Sequence, residues 1–274
     1  MRSSLTERIV NHAILGLFAL LTLVPILGVL LSSVTPAADN DGSFAFPRHL
    51  ALGNYIDAWH LGNFGQYMTT SVIVCIAVVA LNVVLSVSAG YAFARMSFFG
   101  SSVLYYLLLL GLTLPAEAFI IPLYFNLRSA HLTDTYWALI LPQTAQSLAF
   151  GIFWMRNHFQ TFPGEIIEAA RLDGARDFGV LWRVVVPPAL PSIMTMCVVV
   201  TMWTWNEFLV PLVMASSGDL RTAPLGLAFF QGKNMTQYSL LAAAGVLVAL
   251  PIALLYLALQ KRFISGMAGG VSHR

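Results

Sequence analysis

Residues 72–94 read VIVCIAVVALNVVLSVSAGYAFA, an apolar stretch that contains no charged side chain. A helix that crosses a membrane needs about 20 mostly apolar residues. Five other stretches of the chain meet the same test. The six predicted spans are residues 13–31, 72–94, 103–124, 136–154, 193–214 and 240–259. We therefore predict an all-α, polytopic membrane protein with six transmembrane helices.

The composition of the whole chain agrees with that prediction. Its 274 residues are 58% hydrophobic and only 9% charged, with a mean hydropathy of +0.78. Soluble domains carry about 25% charged residues, so the composition excludes a soluble protein. Glu117 and Glu207 are the charged residues inside the predicted spans. We expect a single transmembrane domain over residues 1–274, in contact with the lipid bilayer and, given a net charge of +2, with no nucleic-acid partner.

The first span has an alternative reading as a secretory signal peptide. Arg2 and Arg8 precede it, and Ala37–Ala38 resembles a cleavage site. The apolar core of a secretory signal is about 7–15 residues long, and the stretch 13–31 is longer. We therefore expect this segment to be a retained transmembrane helix.

The Lys and Arg residues outside the spans predict the orientation of the chain. Cytoplasmic loops of membrane proteins carry an excess of Lys and Arg. Arg48, Arg128, Arg221 and Lys233 fall on one side of the predicted membrane. The other side carries Arg2, Arg8, Arg95, Arg156, Arg171, Arg176, Arg183, Lys261, Arg262 and Arg274. Both termini and the loop 159–190 are therefore predicted to be cytoplasmic, and the segment 35–70 to face outward with at most short helices.

The loop between the fourth and fifth spans contains the most informative motif. Residues 161–191 read TFPGEIIEAARLDGARDFGVLWRVVVPPALP. Pro163 suits the first turn of a helix, and Gly174 can end that helix in a left-handed conformation. A second short helix over 175–186 should be stopped or redirected by Pro187 and Pro188. We call residues 159–190 the coupling loop.

Two uses of the coupling loop fit its residues. Ile166, Ala169, Ala170 and Asp173 share one side of the first helix, and the small Ala pair permits close approach by another surface. A charged helix of this kind suits a groove on a partner protein. An amphipathic loop that lies on lipid headgroups fits the same pattern.

The loop also resembles a known motif. Glu168-Ala169-Ala170, then Gly174, then residues 184–187 (VVVP) match the EAA motif of bacterial ABC-importer permeases in spacing. Residues 205–212 (WNEFLVPL), 114–115 with 121–124, and 260–266 (QKRFISG) resemble segments of the carbohydrate branch of that family, the maltose- and glycerol-phosphate-type permeases. The resemblance covers nearly the whole chain.

Membership of that family would imply a set of partners and one coupling site. It implies a bacterial inner-membrane subunit that pairs with a second permease subunit, two copies of an ATPase subunit and an extracytoplasmic substrate-binding protein, and that imports a small-molecule sugar. The sequence has neither a P-loop nor an HExxH motif. ATP and Mg²⁺ are therefore expected in the ATPase, with no catalytic residue, cofactor or metal in this chain. The residues expected to couple to the ATPase are Glu165, Glu168, Ala169, Ala170, Arg171, Asp173 and Gly174.

The candidates for the substrate path are less specific. Ionisable residues inside a span usually face the bundle interior or a cavity, which selects Glu117 and Glu207. Trp203, Trp205 and Asn206 adjoin Glu207 and offer aromatic faces and an amide for a sugar. The alternative is that Glu207 is paired structurally and that the tryptophans form an aromatic belt at the membrane interface. Three further polar residues lie inside the predicted spans, namely Asn82, Gln143 and Gln146. We expect them either to line the path or to form hydrogen bonds between helices.

Two rival classes of function remain at this stage. A self-sufficient secondary transporter or channel would need coupling-ion carboxylates near the middle of the membrane and often an internal repeat. The sequence offers Glu117 and Glu207 but no convincing repeat. An intramembrane enzyme would need a catalytic constellation, which the sequence does not show.

Overall fold

The described part of the chain is built from helices. This computed structural model describes residues 5–42, 46–231 and 237–269. Its α-helices are α1 (Leu5–Ser33), α2 (Gly53–Leu61), α3 (Phe64–Arg95), α4 (Ser101–Leu110), α5 (Ile120–Ser129), α6 (Tyr136–Thr161), α7 (Gly164–Leu172), α8 (Asp177–Gly179), α9 (Val186–Asn206), α10 (Leu209–Met214), α11 (Ala223–Gly226) and α12 (Tyr238–Gly269). Short 3-10 helices cover Ala37–Asp39, Ala116–Phe119 and Leu227–Phe230. The all-α prediction is confirmed.

Two compact units divide the chain, one of Met1–Gln66 with Gly226–Pro251 and one of Tyr67–Leu225 with Ile252–Arg274. In the first unit, the apolar side chains of α1 between Ile9 and Leu30 are largely exposed. Lipid chains solvate such side chains as well as a protein core does, so α1 has the character of a lipid-facing helix. The single transmembrane domain over 1–274 stays a prediction.

Hydrogen bonds hold the segment that follows α1 in the first unit to the end of that helix. The Asn54 amide on α2 donates to the backbone oxygens of Ser33 and Thr35, at 2.9 Å each. The Ser33 hydroxyl lies 2.7 Å from the Tyr55 hydroxyl. As predicted, the described residues between 35 and 63 form loops with only short helices, but α3 begins at Phe64, before the expected start of the second span.

The core of the second unit includes side chains of α3, α6 and α9. Val78, Met155 and Met196 contribute fully buried side chains to one cluster. Helices α3 and α6 approach closely at Gly151, where an added Cβ would lie 2.1 Å from the Ser86 Oγ. Beside it the buried Asn82 amide donates to the Ser147 hydroxyl at 2.9 Å. Such interhelical bonds satisfy polar groups that lipid cannot.

The predicted third span, 103–124, is wrong as a continuous helix. Helix α4 ends at Leu110, and α5 starts at Ile120 after the 3-10 turn Ala116–Phe119. Pro115 lies in the gap with φ −67° and ψ 122°. Its missing N–H and the restriction on the preceding residue interrupt the helix. Hydropathy records the apolar character of this stretch but not the break.

The predicted fifth span and the second loop helix also require correction. The chain is helical without interruption from Asp177 through α8, the π-helical turn Val180–Val185 and α9. Pro187 and Pro188 therefore do not stop the helix. They lie at the first positions of α9, directly after the π-helical turn Val180–Val185. The interruption comes instead at Glu207, whose backbone is extended between α9 and α10.

The number of spans differs between prediction and structure. Within the described ranges, the helices long and apolar enough to cross a membrane are Glu7–Ser33, Phe64–Arg95, Tyr136–Thr161, Asp177–Asn206 and Tyr238–Ala258. The remaining predicted span, the third, corresponds to the broken pair α4 and α5. The count of six and the cytoplasmic termini stay predictions, and Arg2, Lys233 and Arg274 lie outside the described residues.

Candidate functional site

Helix α7 of the coupling loop has well-defined ends. Pro163 immediately precedes it with φ −60°, and Glu165 lies in its first turn. At its other end Gly174 has φ +87°. The Ala175 N–H donates to the Ala170 carbonyl and the Gly174 N–H donates to the Arg171 carbonyl, at 3.0 Å each. These two bonds define a Schellman motif and confirm that Gly174 ends the helix in a left-handed conformation.

One face of α7 packs inward and the rest of the helix is open. Ile167 is buried, and Ala170 packs against the same core. The other coupling candidates are exposed, namely Glu165, Glu168, Ala169, Arg171, Asp173 and Gly174. The structure therefore brings the seven predicted coupling residues together on one short helix and its cap.

Two exposed apolar side chains, one at the last residue of this helix and one after it, were not singled out from the sequence. Leu172 is 89% exposed and Phe178 is 75% exposed. Leu172 lies between Arg171 and Asp173, and Asp177 directly precedes Phe178. Two isolated exposed apolar residues need no special explanation, but at the tip of a charged loop they suit contact with another protein.

An ion pair closes the coupling loop. The Arg171 Nη2 lies 2.8 Å from the Asp177 Oδ1, so the end of α7 is joined to the start of α8. The hydrogen bond that the Arg171 guanidinium donates to the Asp177 carboxylate raises the pKa of the guanidinium. Both side chains are about half exposed, and exposed pairs contribute little stability. We assign this pair an orienting role.

Arg95, at the end of α3, fixes the base of the coupling loop. Its Nε donates to the Phe159 carbonyl at 2.9 Å, and its Nη2 donates to the carbonyls of Gln160 and Phe162. These carbonyls belong to the last turn of α6 and the residue after it, where helix carbonyls lack intrahelical partners. One guanidinium thereby ties α3 to the start of the loop.

We expect Arg95→Ala to loosen the coupling loop. Hydrogen bonds to charged groups contribute about 1.5–3 kcal/mol, so amide hydrogen exchange over residues 159–172 should accelerate by about tenfold or more. Arg48→Ala removes an exposed arginine elsewhere in the chain and should leave that exchange unchanged. Equal exchange rates in the two variants would contradict this role of Arg95.

A cavity lies between α6 and α9, within the second unit. Its volume is about 600 Å³, within the range of small-molecule sites. Val199, Met202 and Trp203 form its apolar wall. The polar lining residues are Gln143, Gln146, Ser147, Thr204, Asn206 and Glu207.

Two polar side chains of the cavity have contrasting surroundings. The Glu207 Oε1 accepts the N–H groups of Leu209 and Val210, at 2.9 Å and 3.0 Å, so its carboxylate is fixed at the start of α10. Gln143 is 4% exposed, and neither its Nε2 nor its Oε1 has a hydrogen-bond partner among the described residues. Buried amides are normally satisfied, so Gln143 indicates a ligand or water position.

The candidates for the substrate path separate into two groups. Trp203, Asn206 and Glu207 line the cavity, whereas Trp205 is buried and does not line it. Glu117 is exposed in the 3-10 turn Ala116–Phe119. Among the open polar candidates, Gln143 and Gln146 line the cavity, and Asn82 bonds between helices. Ser147 and Thr204 also line the cavity but were not predicted from the sequence. Gln146 and Ser147 both lie about one helical turn after Gln143, and this spacing was the signal that could have found Ser147.

Comparisons with known proteins identify the family. The family described as binding-protein-dependent transport system inner membrane component matches residues 82–269. The chain belongs to this family. A probable ABC transporter permease protein of Pyrococcus horikoshii is 36% identical to this permease, over 90% of this chain and 91% of the relative.

Other relatives agree with that assignment, and one solved structure shares the fold. The diacetylchitobiose uptake system permease protein of Streptomyces coelicolor is 33% identical over 95% of this permease and 87% of the relative. The arabinooligosaccharides transport system permease protein of Halalkalibacterium halodurans is 32% identical over 92% of each. The crystal structure of a bacterial ABC transporter involved in the import of the acidic polysaccharide alginate matches with a TM-score of 0.82, covering 96% of this permease and 99% of that chain at 23% identity.

Family membership fixes the general role of the permease. It is a multi-pass protein of the cytoplasmic membrane and a transport subunit, not an enzyme. Its family works with a separate ATPase and a substrate-binding protein. Among the described residues, no three His, Cys, Asp or Glu side chains lie together as metal ligands.

Proposed function

We propose that the permease carries a sugar or sugar derivative across the membrane and that the coupling loop transmits the energy of ATP hydrolysis to it. The observation that carries this proposal is the continuous helix from Asp177 to Asn206. One end of this helix joins the exposed coupling loop, and the other end lines the cavity through Met202, Trp203 and Asn206. A partner that moves the loop therefore acts directly on the wall of the cavity.

The proposed docking surface consists of α7, its cap and the two apolar side chains beside it. Glu165 and Glu168 supply charge for orientation, and Leu172 and Phe178 supply area that a partner can bury. Central apolar anchors surrounded by polar residues are the usual arrangement of a binding hot spot. Glu165, Glu168, Ala169, Ala170, Arg171, Asp173 and Gly174 are the residues that we assign to this surface.

The complete importer is proposed to contain further chains. We infer one second permease subunit, two copies of the ATPase subunit and one extracytoplasmic substrate-binding protein. ATP and Mg²⁺ would bind to the ATPase subunits. The conformational requirement is a bistable packing of the permease helices whose balance the nucleotide state of the ATPase shifts.

The sugar class is supported by relatives and by the cavity. Two relatives are named for diacetylchitobiose and arabinooligosaccharides. The cavity combines amide groups with a half-exposed Trp203. Amides pair with sugar hydroxyl groups, and an aromatic face covers the apolar face of a sugar ring. We assign Trp203, Asn206 and Glu207 to the substrate path.

The docking surface is tested by co-purification of the ATPase with the permease. Leu172→Asp and Phe178→Asp place a charge where we expect a buried apolar contact. Loss of a hot-spot side chain costs about 2 kcal/mol or more, or about thirtyfold in affinity, so little ATPase should remain bound. Leu50→Asp makes the same change at an exposed leucine of the predicted outward segment and should retain the ATPase. Full retention in all three variants would refute docking at this surface.

A further inference from the structure

A second, small cavity lies where the ends of α3 and α6 meet the start of α4. Its volume is about 60 Å³, a tenth of that of the cavity between α6 and α9, so it suits a small chemical group and not a whole sugar. The described residues that line it include one cation, Arg156, and no Asp or Glu. The complete lining is Phe93 on α3, Ser101, Ser102, Tyr105 and Tyr106 on α4, and Arg156 on α6.

Aromatic side chains and a backbone carbonyl hold Arg156 in place. Its guanidinium lies over the ring of the buried Tyr105, with the Cζ 4.1 Å from the ring centroid. Phe93 contacts the same ring at a centroid distance of 5.6 Å, and the Arg156 Nε donates to the Phe93 carbonyl at 3.4 Å. A guanidinium that stacks on a ring in this way has a defined orientation before a ligand arrives.

The other N–H groups of Arg156 are available to a ligand. Among the described residues, the Arg156 guanidinium makes that one hydrogen bond and no ion pair. Ser101 and Ser102 add two hydroxyl groups to the lining from α4. Guanidinium groups bind phosphate through two parallel N–H donors, and hydroxyl groups can donate to the remaining oxygens. The cavity therefore matches a phosphate group in charge and in donors.

The surroundings of the cavity indicate that the phosphate belongs to a lipid. Phe99, Tyr106 and Leu107 are exposed beside it, and an exposed aromatic and apolar surface of this kind is typical of a membrane interface. Arg156 lies just before the coupling loop in α6, on the predicted cytoplasmic side. Basic pockets between transmembrane helices on that side bind the headgroups of anionic lipids.

We propose that this small cavity binds the phosphate of an anionic phospholipid headgroup. Arg156 on α6 and the serine hydroxyl groups on α4 bind the phosphate oxygens, and the acyl chains lie along the exposed apolar surface of α4. The bound headgroup bridges α4 and α6 beside the base of the coupling loop. The site shares no lining residue with the cavity between α6 and α9, so the inference does not depend on the proposed function.

Titration of the purified permease–ATPase complex with lipids tests the site. The complex, in a nonionic detergent, receives phosphatidylglycerol or phosphatidylcholine with the same acyl chains, and native mass spectrometry counts the bound lipids. Both lipids carry a phosphate, but the choline cation of phosphatidylcholine offsets its charge. We expect the first phosphatidylglycerol to bind at least about tenfold more tightly, which corresponds to about 1.4 kcal/mol. Inorganic phosphate at the same concentration should not displace it, because it has no acyl chain to bury.

Three variants identify the residues responsible. Arg156→Gln removes the cation and should reduce the affinity for phosphatidylglycerol to that for phosphatidylcholine. Ser102→Glu leaves Arg156 and Tyr105 in place but adds a carboxylate that competes for the guanidinium, and it should have the same effect. Arg128→Gln removes an exposed arginine on the predicted outward side and should leave the tight binding unchanged.

The outcomes decide between this site and its alternatives. Loss of the tightly bound lipid in both cavity variants, with its retention in Arg128→Gln, supports the proposal. Wild-type affinity in either cavity variant, an equal loss in Arg128→Gln, or equal binding of the two lipids to the wild type overturns it. Displacement of phosphatidylglycerol by inorganic phosphate would show that the cavity takes free phosphate, and the assignment to a lipid would then be wrong.

Discussion

Replacement of Gly174 by proline is expected to abolish ATP-driven uptake while leaving the membrane-inserted permease intact. Gly174 has φ +87°, and proline is restricted to a φ of about −65°. The substitution also removes the N–H that donates to the Arg171 carbonyl. The Schellman motif cannot form, so α7 loses its end and the residues after it change direction. Reconstituted importer should show uptake at background, with ATP hydrolysis no longer linked to transport.

Two further substitutions show whether the left-handed backbone is responsible. Nothing lies within 4 Å of a Cβ added at Gly174 or at Gly164, so neither alanine creates a clash. Gly174→Ala keeps the N–H but costs about 1–2 kcal/mol for the left-handed conformation, and it should give intermediate uptake. Gly164→Ala lies at the other end of α7 and should behave as wild type. If Gly174→Pro transported as well as Gly164→Ala, the coupling role of this helix would be lost.

A second large effect is expected from Gly151→Ala, which should destabilise the packing of α3 against α6. The new Cβ would lie 2.1 Å from the Ser86 Oγ and 2.6 Å from the Asn82 Oδ1. The helices must separate, and the Asn82–Ser147 hydrogen bond is then disrupted. Overpacking costs about 1–3 kcal/mol, and an unsatisfied buried amide costs about 1–3 kcal/mol more. The unfolding midpoint of the purified permease in detergent should fall accordingly.

The clash at Gly151 has a matched control and a partial rescue. Gly16→Ala adds a methyl group on α1, where nothing lies within 4 Å, and should not lower stability. Ser86→Gly removes the nearest atoms, so the double variant Ser86→Gly/Gly151→Ala should recover part of the loss. A positive coupling in this double-mutant cycle is the decisive measurement. Additive effects of the two substitutions would show that the two residues do not meet as the structure places them.

The sequence predicted where helices lie better than where they are interrupted. Hydropathy located the long apolar helices because each needs a continuous apolar surface against lipid. It could not detect the breaks at Pro115 and Glu207, since these residues interrupt the backbone without changing the apolar average. Proline chemistry alone also overstated the effect of Pro187 and Pro188, because the helix continues through both residues.

The candidate site was predicted unevenly for similar reasons. The helix end at Gly174 was predictable from the sequence, because the left-handed position at the end of a helix is usually occupied by glycine. The sequence could not show that Ile167 is buried and Leu172 is exposed, because the burial of each side chain depends on which face of α7 packs against the core. The cavity needed the structure, because Gln143 and Glu207 come together only when α6 packs against α9.

The uninterrupted helix from Asp177 to Asn206 has a consequence for chimeric permeases. At 1.5 Å per residue it is about 45 Å long, and its turns fix the angular position of every side chain along it. One inserted or deleted residue between Val186 and Val199 would rotate Trp203 by about 100° about the helix axis, away from the cavity. Exchanges between homologous permeases therefore have to preserve the residue count of this stretch or transfer it whole.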